Sequence, residues 1–359
     1  MSATGKRSTR TTALLWLVSL LASALFLWLA REHFAIELWP DELSMPQPML
    51  FVCACALHPV YATLRAMRLQ YALDPLAQGG RFDRRVLYGS GFVSFLVLLL
   101  MPLKLGEASR PILLAQGRQE GVGLAESVGA VALERVIDGV LICAMLFGGL
   151  AAAQPNHALV HEYLGSVQRF GQLMTLAFTG ALVVALVAAR SPARARAIAA
   201  KLGGLFGEAA SRFCGRAAGR VAEAFAALLG AQRWVALVLV SLVYWAITVL
   251  QLWLVAHACG VPISAAGATA MVAIVGLSIQ LPGGPAQAGT YQVGSGAALT
   301  LLLGALEGGL ATAAAAFVAS MFALQLLGAA AMALPGAVLL ALAARAGAPP
   351  DAGKPADGP

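Results

Sequence analysis

From Trp234 to Leu306 the sequence holds no Asp, Glu, Lys or Arg, and after Glu307 the charge-free run resumes to Ala344. No water-soluble fold hides that much apolar chain, so this stretch must lie in lipid. Lipid offers no hydrogen-bond partners, so spanning backbone has to close its own bonds, as helices or as a sealed barrel. The alternating ten-residue segments of a barrel are absent. The rest of the chain agrees: of 359 residues 60% are hydrophobic and 11% charged, where soluble domains carry about 25% charged residues. The prediction is an all-α polytopic integral membrane protein with about 6–8 transmembrane helices.

Apolar segments lie near 13–30, 49–64, 86–101, 128–153, 171–189, 234–257, 267–281, 291–306 and 310–340. Lys6, Arg7 and Arg10 precede the first, whose length suits a spanning anchor better than a cleaved leader. The net charge of +7 resides in membrane-flanking loops and is no nucleic-acid signature. Arg far outnumbers Lys and Ala is abundant, a composition suggesting a GC-rich bacterial genome. The five cysteines (53, 55, 143, 214 and 259) contain no Cys-x-x-Cys pair and read as free structural thiols.

Loop charges orient the segments. A cytoplasmic N-terminus puts the acidic loop 31–48 outside and the loop 65–85, with Arg65, Arg68, Arg81, Arg84 and Arg85, inside. Counting 86–101 as a simple span would then expel the basic loop 190–233. The parity is restored if 86–125 turns near Pro102 and returns to its own side as a re-entrant hairpin. The pair 267–281 and 291–306, broken at Leu281-Pro-Gly-Gly-Pro285, forms a second hairpin entering from outside. Span, hairpin and span (49–153) thus recur upside down as span, hairpin and span (234–340). Paired Gly/Pro-interrupted segments in opposite-topology halves point to a transporter-type site near the midplane. The expected organisation is one membrane domain, 1–345, with halves of about 1–189 and 234–345. A basic cytoplasmic segment, 190–233, joins them and reads either as an amphipathic helix, with Arg212, Arg216 and Arg220 on one stripe and Phe213, Val221, Phe225 and Leu228 on another, or as a solvated linker; a disordered tail, 346–359, follows.

Within this apolar chain six charges demand a reason: Lys104, Glu107, Arg110, Glu134, Arg135 and Asp138. The apolar segment after Asp138 has about 15 residues, roughly 22 Å of helix against about 30 Å of hydrocarbon. A spanning helix must therefore begin earlier and carry Asp138, with Arg135 and Glu134, below the headgroups. Such groups are expensive in lipid and read as functional by default. Arg135 lies three residues from Asp138 and can reach it, and the six charges sum to zero, as burial demands. Two readings stay open: a staple between the first hairpin and helix 128–153, or a polar floor for a headgroup or proton path. At the second tip, Gln280, Gln287, Thr290, Tyr291 and Gln292 add uncharged donors and acceptors to backbone freed by Pro and Gly, although a plain loop remains an alternative. His157 and His161 have helical ligand spacing beside Glu162, but no third ligand is evident and no metal is expected. No Walker loop, Rossmann fingerprint or Gly-x-Ser-x-Gly appears in a suitable context.

The two tips carry a resemblance. Pro102-Leu-Lys104-Leu-Gly106-Glu107-Ala-Ser-Arg110, then Glu134-Arg135-Val-Ile-Asp138, then Pro282-Gly-Gly-Pro285-Ala286-Gln287-Ala-Gly289-Thr-Tyr291-Gln292 resemble the signatures of the flippase-like membrane domain of lysylphosphatidylglycerol synthases. Ala286 stands where the family usually has Gly, and Gln292 where Glu is common, which puts a proton-linked role at 292 in doubt. The resemblance implies lipid translocation, with members of diverse substrate. No aminoacyltransferase domain follows in this sequence, so synthesis of an aminoacyl-lipid is not expected of it.

The resulting expectation is a lipid translocase of the bacterial inner membrane, multi-pass with a cytoplasmic N-terminus. Its cargo would be a polar or anionic lipid: a phospholipid, aminoacyl-lipid, hopanoid or polyprenyl-linked lipid. Lys104, Glu107, Arg110, Glu134, Arg135, Asp138, Gln287, Tyr291 and Gln292 would bind or pass the headgroup. Pro102, Gly106, Pro282, Pro285 and Gly289 would shape the gate. The alternatives are a membrane-embedded enzyme modifying a headgroup, with Glu107 or Asp138 as general base, and a non-catalytic scaffold for lipid-biosynthesis enzymes. Membrane lipids are the expected partners, lipid-biosynthesis enzymes and a homo-oligomer stay open, and no nucleic acid, cofactor or metal is expected.

Overall fold

The computed structural model describes residues 3–36, 39–41, 43–155, 160–228, 231–281 and 283–346. His157, Pro282 and the tail from 347 onward lie outside the described residues. Among the described residues there is no strand. In chain order, α1 (Ala3–Phe34) and α2 (Pro48–Met67) lead to the one-turn α3 (Gln70–Leu73). Next, α4 (Arg84–Leu100) and α5 (Ser109–Gln116) flank a tight turn at Pro102–Ala108. The long α6 (Leu124–Ala153) and α7 (Val160–Arg190) precede α8 (Pro192–Gly204) and α9 (Glu208–Leu228). After α10 (Ala231–Ala258), α11 (Ala265–Ser278) and α12 (Thr290–Leu303) flank a turn at Pro285–Gln287, and α13 (Gly308–Ala346) ends the described chain.

Six stretches are long and apolar enough to cross a bilayer: Ala13–Phe34, Pro48–Leu73, Leu124–Ala153, Tyr163–Arg190, Arg233–Ala258 and Gly308–Ala346. They coincide with the six segments that loop charge marks as full spans. The arms α11 and α12, 14 residues each, reach only about 21 Å, too short to cross alone. Leucines and valines on the outer faces of α1, α7 and α13 are exposed, which is the expected condition of a lipid-facing surface. The chain is a multi-pass, all-α membrane protein.

Helix contacts follow an exchange pattern. Helix α2 packs on α10, α4 packs on α13, and α11 packs on α6. Interchanging α2 with α10, α4 with α11 and α6 with α13 maps the first contact onto itself and exchanges the other two. Small residues bring the axes close, as where Gly149 on α6 meets the backbone of Ala270 on α11.

Segment 190–233 departs from the single helix that one reading gives it. It breaks at Gly207, whose φ of 108° suits a residue without Cβ, and α8 and α9 pack along each other. On α9, Phe225 and Val221 join an apolar cluster with Leu69, Leu73 and Leu133, Phe213 is exposed, and Arg220 pairs with Glu126 of α6 at 2.8 Å.

Candidate functional site: a charged cavity between two broken hairpins

Each tip begins where the residue before a proline is pushed out of helical space. Met101 (φ −81°, ψ 140°) precedes Pro102, and Gly284 (φ −80°, ψ −176°) precedes Pro285. Two left-handed residues follow in both: Leu103 and Lys104 at φ 48° and 60°, Ala286 and Gln287 at φ 58° and 60°. Non-glycine residues there cost roughly 1–2 kcal/mol each, and they persist only where surrounding structure enforces them. A glycine comes two residues later. A Cβ on Gly106 would stand 2.4 Å from the Val97 carbonyl oxygen, and one on Gly289, at φ 93°, would stand 2.7 Å from that of Ser23. Pro102–Gly106 and Pro285–Gly289 are therefore one backbone device used twice, Pro-x-(Lys or Gln)-x-Gly.

Behind the first tip lies a brace of four charges. Arg68, at the end of α2 and 1% exposed, donates to both Asp138 oxygens, Nη2 to Oδ2 at 3.0 Å, and to Glu134 Oε1 at 2.7 Å. Arg110 of α5 straddles Glu134 at 2.8 and 3.0 Å and gives its other amine to the carbonyls of Arg65 and Ala66 at 3.2 and 3.4 Å. Three elements, α2, α5 and α6, meet at this knot. Bidentate guanidinium–carboxylate geometry is what makes burial of such charges tolerable. Trp245 of α10 adds an indole N–H to Asp138 Oδ1 at 3.1 Å, and the Tyr244 ring lies 4.2 Å from the Arg68 guanidinium carbon.

In front of the brace is a cavity of about 260 Å³. Its polar lining comprises Arg65, Lys104, Glu107, Arg135, Asp138, Gln280, Gln287 and Tyr291 among others, and its apolar lining includes Ile142, Phe178, Leu252, Val275 and Met321. Lys104 Nζ donates to Gln280 Oε1 at 2.8 Å, joining the two hairpins directly. Arg65 lies 4.4 Å over the Phe95 ring and donates to the Gly91 carbonyl at 3.3 Å. Arg135 is half-buried and makes no hydrogen bond or ion pair with the described residues, contrary to the pairing with Asp138 that their spacing suggested. Asp138 is taken by Arg68 instead, which presents two parallel N–H groups from a neighbouring helix. Glu107 stands exposed at the rim.

The predicted site residues thus separate into two sets. Lys104, Glu107, Arg135, Asp138, Gln287 and Tyr291 line the cavity. Arg110 and Glu134 lie behind it in the brace, so they hold the walls rather than face a ligand. Gln292 is also behind, fully buried, with Oε1 accepting the Gly289 N–H at 2.7 Å. Pro102, Gly106, Pro285 and Gly289 form the tips. The second tip is tied to α1: Ser19 donates to the Gly283 carbonyl at 3.2 Å and Ser23 to that of Ala288 at 2.7 Å.

Arg65, Arg68, Tyr244 and Trp245 were absent from the sequence-based set. The two arginines were counted as loop charge, although Tyr61, Arg65 and Arg68 recur at the four- and three-residue steps of one helix face, continuing α2. That spacing was the available signal. Tyr244 and Trp245 lie in a charge-free run that offered none.

A family model described as the lysylphosphatidylglycerol synthase TM region matches residues 16–329, a span that takes in both tips, the brace and the whole cavity lining. No curated protein and no solved structure matches the chain.

Proposed function

Because the chain belongs to the lysylphosphatidylglycerol synthase TM region family, we propose that it is a lipid translocase of the bacterial inner membrane. In this reading α4–α5 and α11–α12 are re-entrant hairpins entering from opposite sides, and the N-terminus is cytoplasmic. The halves on either side of 190–233 have inverted topology. The observation that carries it is the mixed lining of the cavity: charged and apolar side chains border one space between two strained tips inside a multi-pass bundle. An amphiphile needs that pairing, a polar group held on one side and the start of a chain on the other. Non-helical backbone at membrane depth is tolerated where it borders such a space.

The test is reconstitution of the full chain in liposomes with a fluorescently labelled phospholipid. External dithionite bleaches about half of the label in a sealed vesicle without translocation; the expected result is near-complete bleaching at a rate proportional to protein. Arg135→Ala should abolish this excess while the protein still inserts. A rate equal to that of protein-free liposomes would remove the translocase reading. A change of lipid mass on incubation would favour a headgroup-modifying enzyme, with exposed Glu107 as its candidate base.

A further inference from the structure

The charges around the cavity do not cancel. Five cations, Arg65, Arg68, Lys104, Arg110 and Arg135, meet three carboxylates, Glu107, Glu134 and Asp138, an excess of two. Two of the cations are committed: Arg68 and Arg110 are held by Glu134 and Asp138. The cavity wall is then left with Arg65, Lys104 and Arg135 against Glu107 alone. None of the three is hydrogen-bonded to a carboxylate among the described residues: Arg65 has a ring and a carbonyl, Lys104 an amide and Arg135 no hydrogen bond, while Glu107, Glu134 and Asp138 attract Arg135 only from beyond bonding distance. Unmatched like charges in a space of low dielectric repel each other and lack hydrogen-bond acceptors. An anion in the cavity supplies both.

Resting on the translocase reading, we propose that the cavity selects a phosphate-type anion, the phosphodiester or phosphomonoester of a net-negative headgroup, bound by Arg135 and Lys104 with Arg65 as the third cation. A guanidinium matches two phosphate oxygens at once, and the mobile ammonium of Lys104 meets a third as a point charge. The volume of about 260 Å³ falls below the roughly 300–1,000 Å³ of a drug-sized ligand site. It holds a headgroup and the beginning of its glycerol, with the acyl chains left in the bilayer. Neutral lipids give these cations nothing.

Isothermal titration of the full chain in a non-ionic detergent tests this, with four soluble probes: dihexanoyl-phosphatidylglycerol, dihexanoyl-phosphatidylcholine, dihexanoylglycerol and inorganic phosphate. The expected order places the anionic lipid about tenfold or more tighter than the zwitterion, with no detectable binding of the neutral lipid. Arg135→Gln and Lys104→Gln should each weaken the anionic lipid about tenfold with the unfolding midpoint unchanged, and Arg135→Lys should restore most of the affinity. Inorganic phosphate bound with the same dependence on Arg135 supports the anion site, and equal affinity for it and the lipid assigns the site to a free anion. Equal affinity for phosphatidylglycerol and phosphatidylcholine, or an unchanged affinity in Arg135→Gln, overturns the proposal. Selective binding without lipid movement in liposomes would remove the translocase reading and leave the anion site standing; movement without charge preference would do the reverse.

Discussion

The two hairpin tips share a backbone and differ in what holds them. Both run Pro, left-handed pair, then glycine, yet the first is fastened by ionic bonds and the second by neutral ones. Arg110, in the first turn of α5, is locked on Glu134 and on the end of α2. The second tip is held by two serine hydroxyls of α1, its own Thr290 hydroxyl and Gln292 amide, and, at Gln280, by Lys104 of the first tip. Buried charge-assisted bonds are worth about 1.5–3 kcal/mol, neutral ones about 0.5–1.5. One backbone device thus has an ionically held copy and a neutrally held copy, and the expectation is that the second hairpin yields first. Lys104 and Gln287 occupy equivalent places, so the difference extends to the cavity: the first tip brings charge, the second tip brings an amide.

The strongest blow to this contrast is Glu134→Ala. Removing one member of a buried pair strands the others and should cost about 3–5 kcal/mol, read as a fall in the unfolding midpoint of the detergent-solubilised protein. A loss under about 1 kcal/mol would mean that charge does not pin the first hairpin. Next come the glycines. Gly106→Ala and Gly289→Ala should each cost about 1–3 kcal/mol, since a Cβ meets backbone in both. Gly289→Ala should in addition speed hydrogen exchange along α1 at 19–27, because its Cβ would press on that helix, whereas Gly106→Ala should not. The pair Ser19→Ala and Ser23→Ala removes two neutral bonds at about 0.5–1.5 kcal/mol each. Faster exchange should appear at 283–289 and not at 102–108; faster exchange at both tips would show that they move as one. The smallest stability effect belongs to Lys104→Gln, which makes the tips alike: within about 0.5 kcal/mol in stability, with transport of an anionic lipid in liposomes reduced about tenfold.

The spans and the two hairpins were legible because apolar length and Pro/Gly interruption are properties of single segments. So was the cluster of six charges, since each stands out against lipid. Partnership was not legible. The three-residue step from Arg135 to Asp138 suggested a bond within α6, but Arg68 from α2 wins Asp138 by offering two N–H groups, which sequence spacing along one helix cannot register. Arg65 and Arg68 themselves were hidden by position: they end a span beside a basic loop, and the rule that places positive charge at the membrane edge accounted for them too readily. The repeat Pro102–Gly106 and Pro285–Gly289 was obscured by its intervening side chains, and only the matching left-handed angles brought the two together.

The serine bonds of α1 also impose an order on biosynthesis. Ser19 and Ser23 reach carbonyls 264 and 265 residues downstream, so at about 5–20 residues per second their acceptors emerge on the order of tens of seconds after the hydroxyls have entered the membrane. During that interval the two serines lack these acceptors, and a chain shortened before the second tip never supplies them. The contact of α1 with α12 therefore forms only after the second tip has been made.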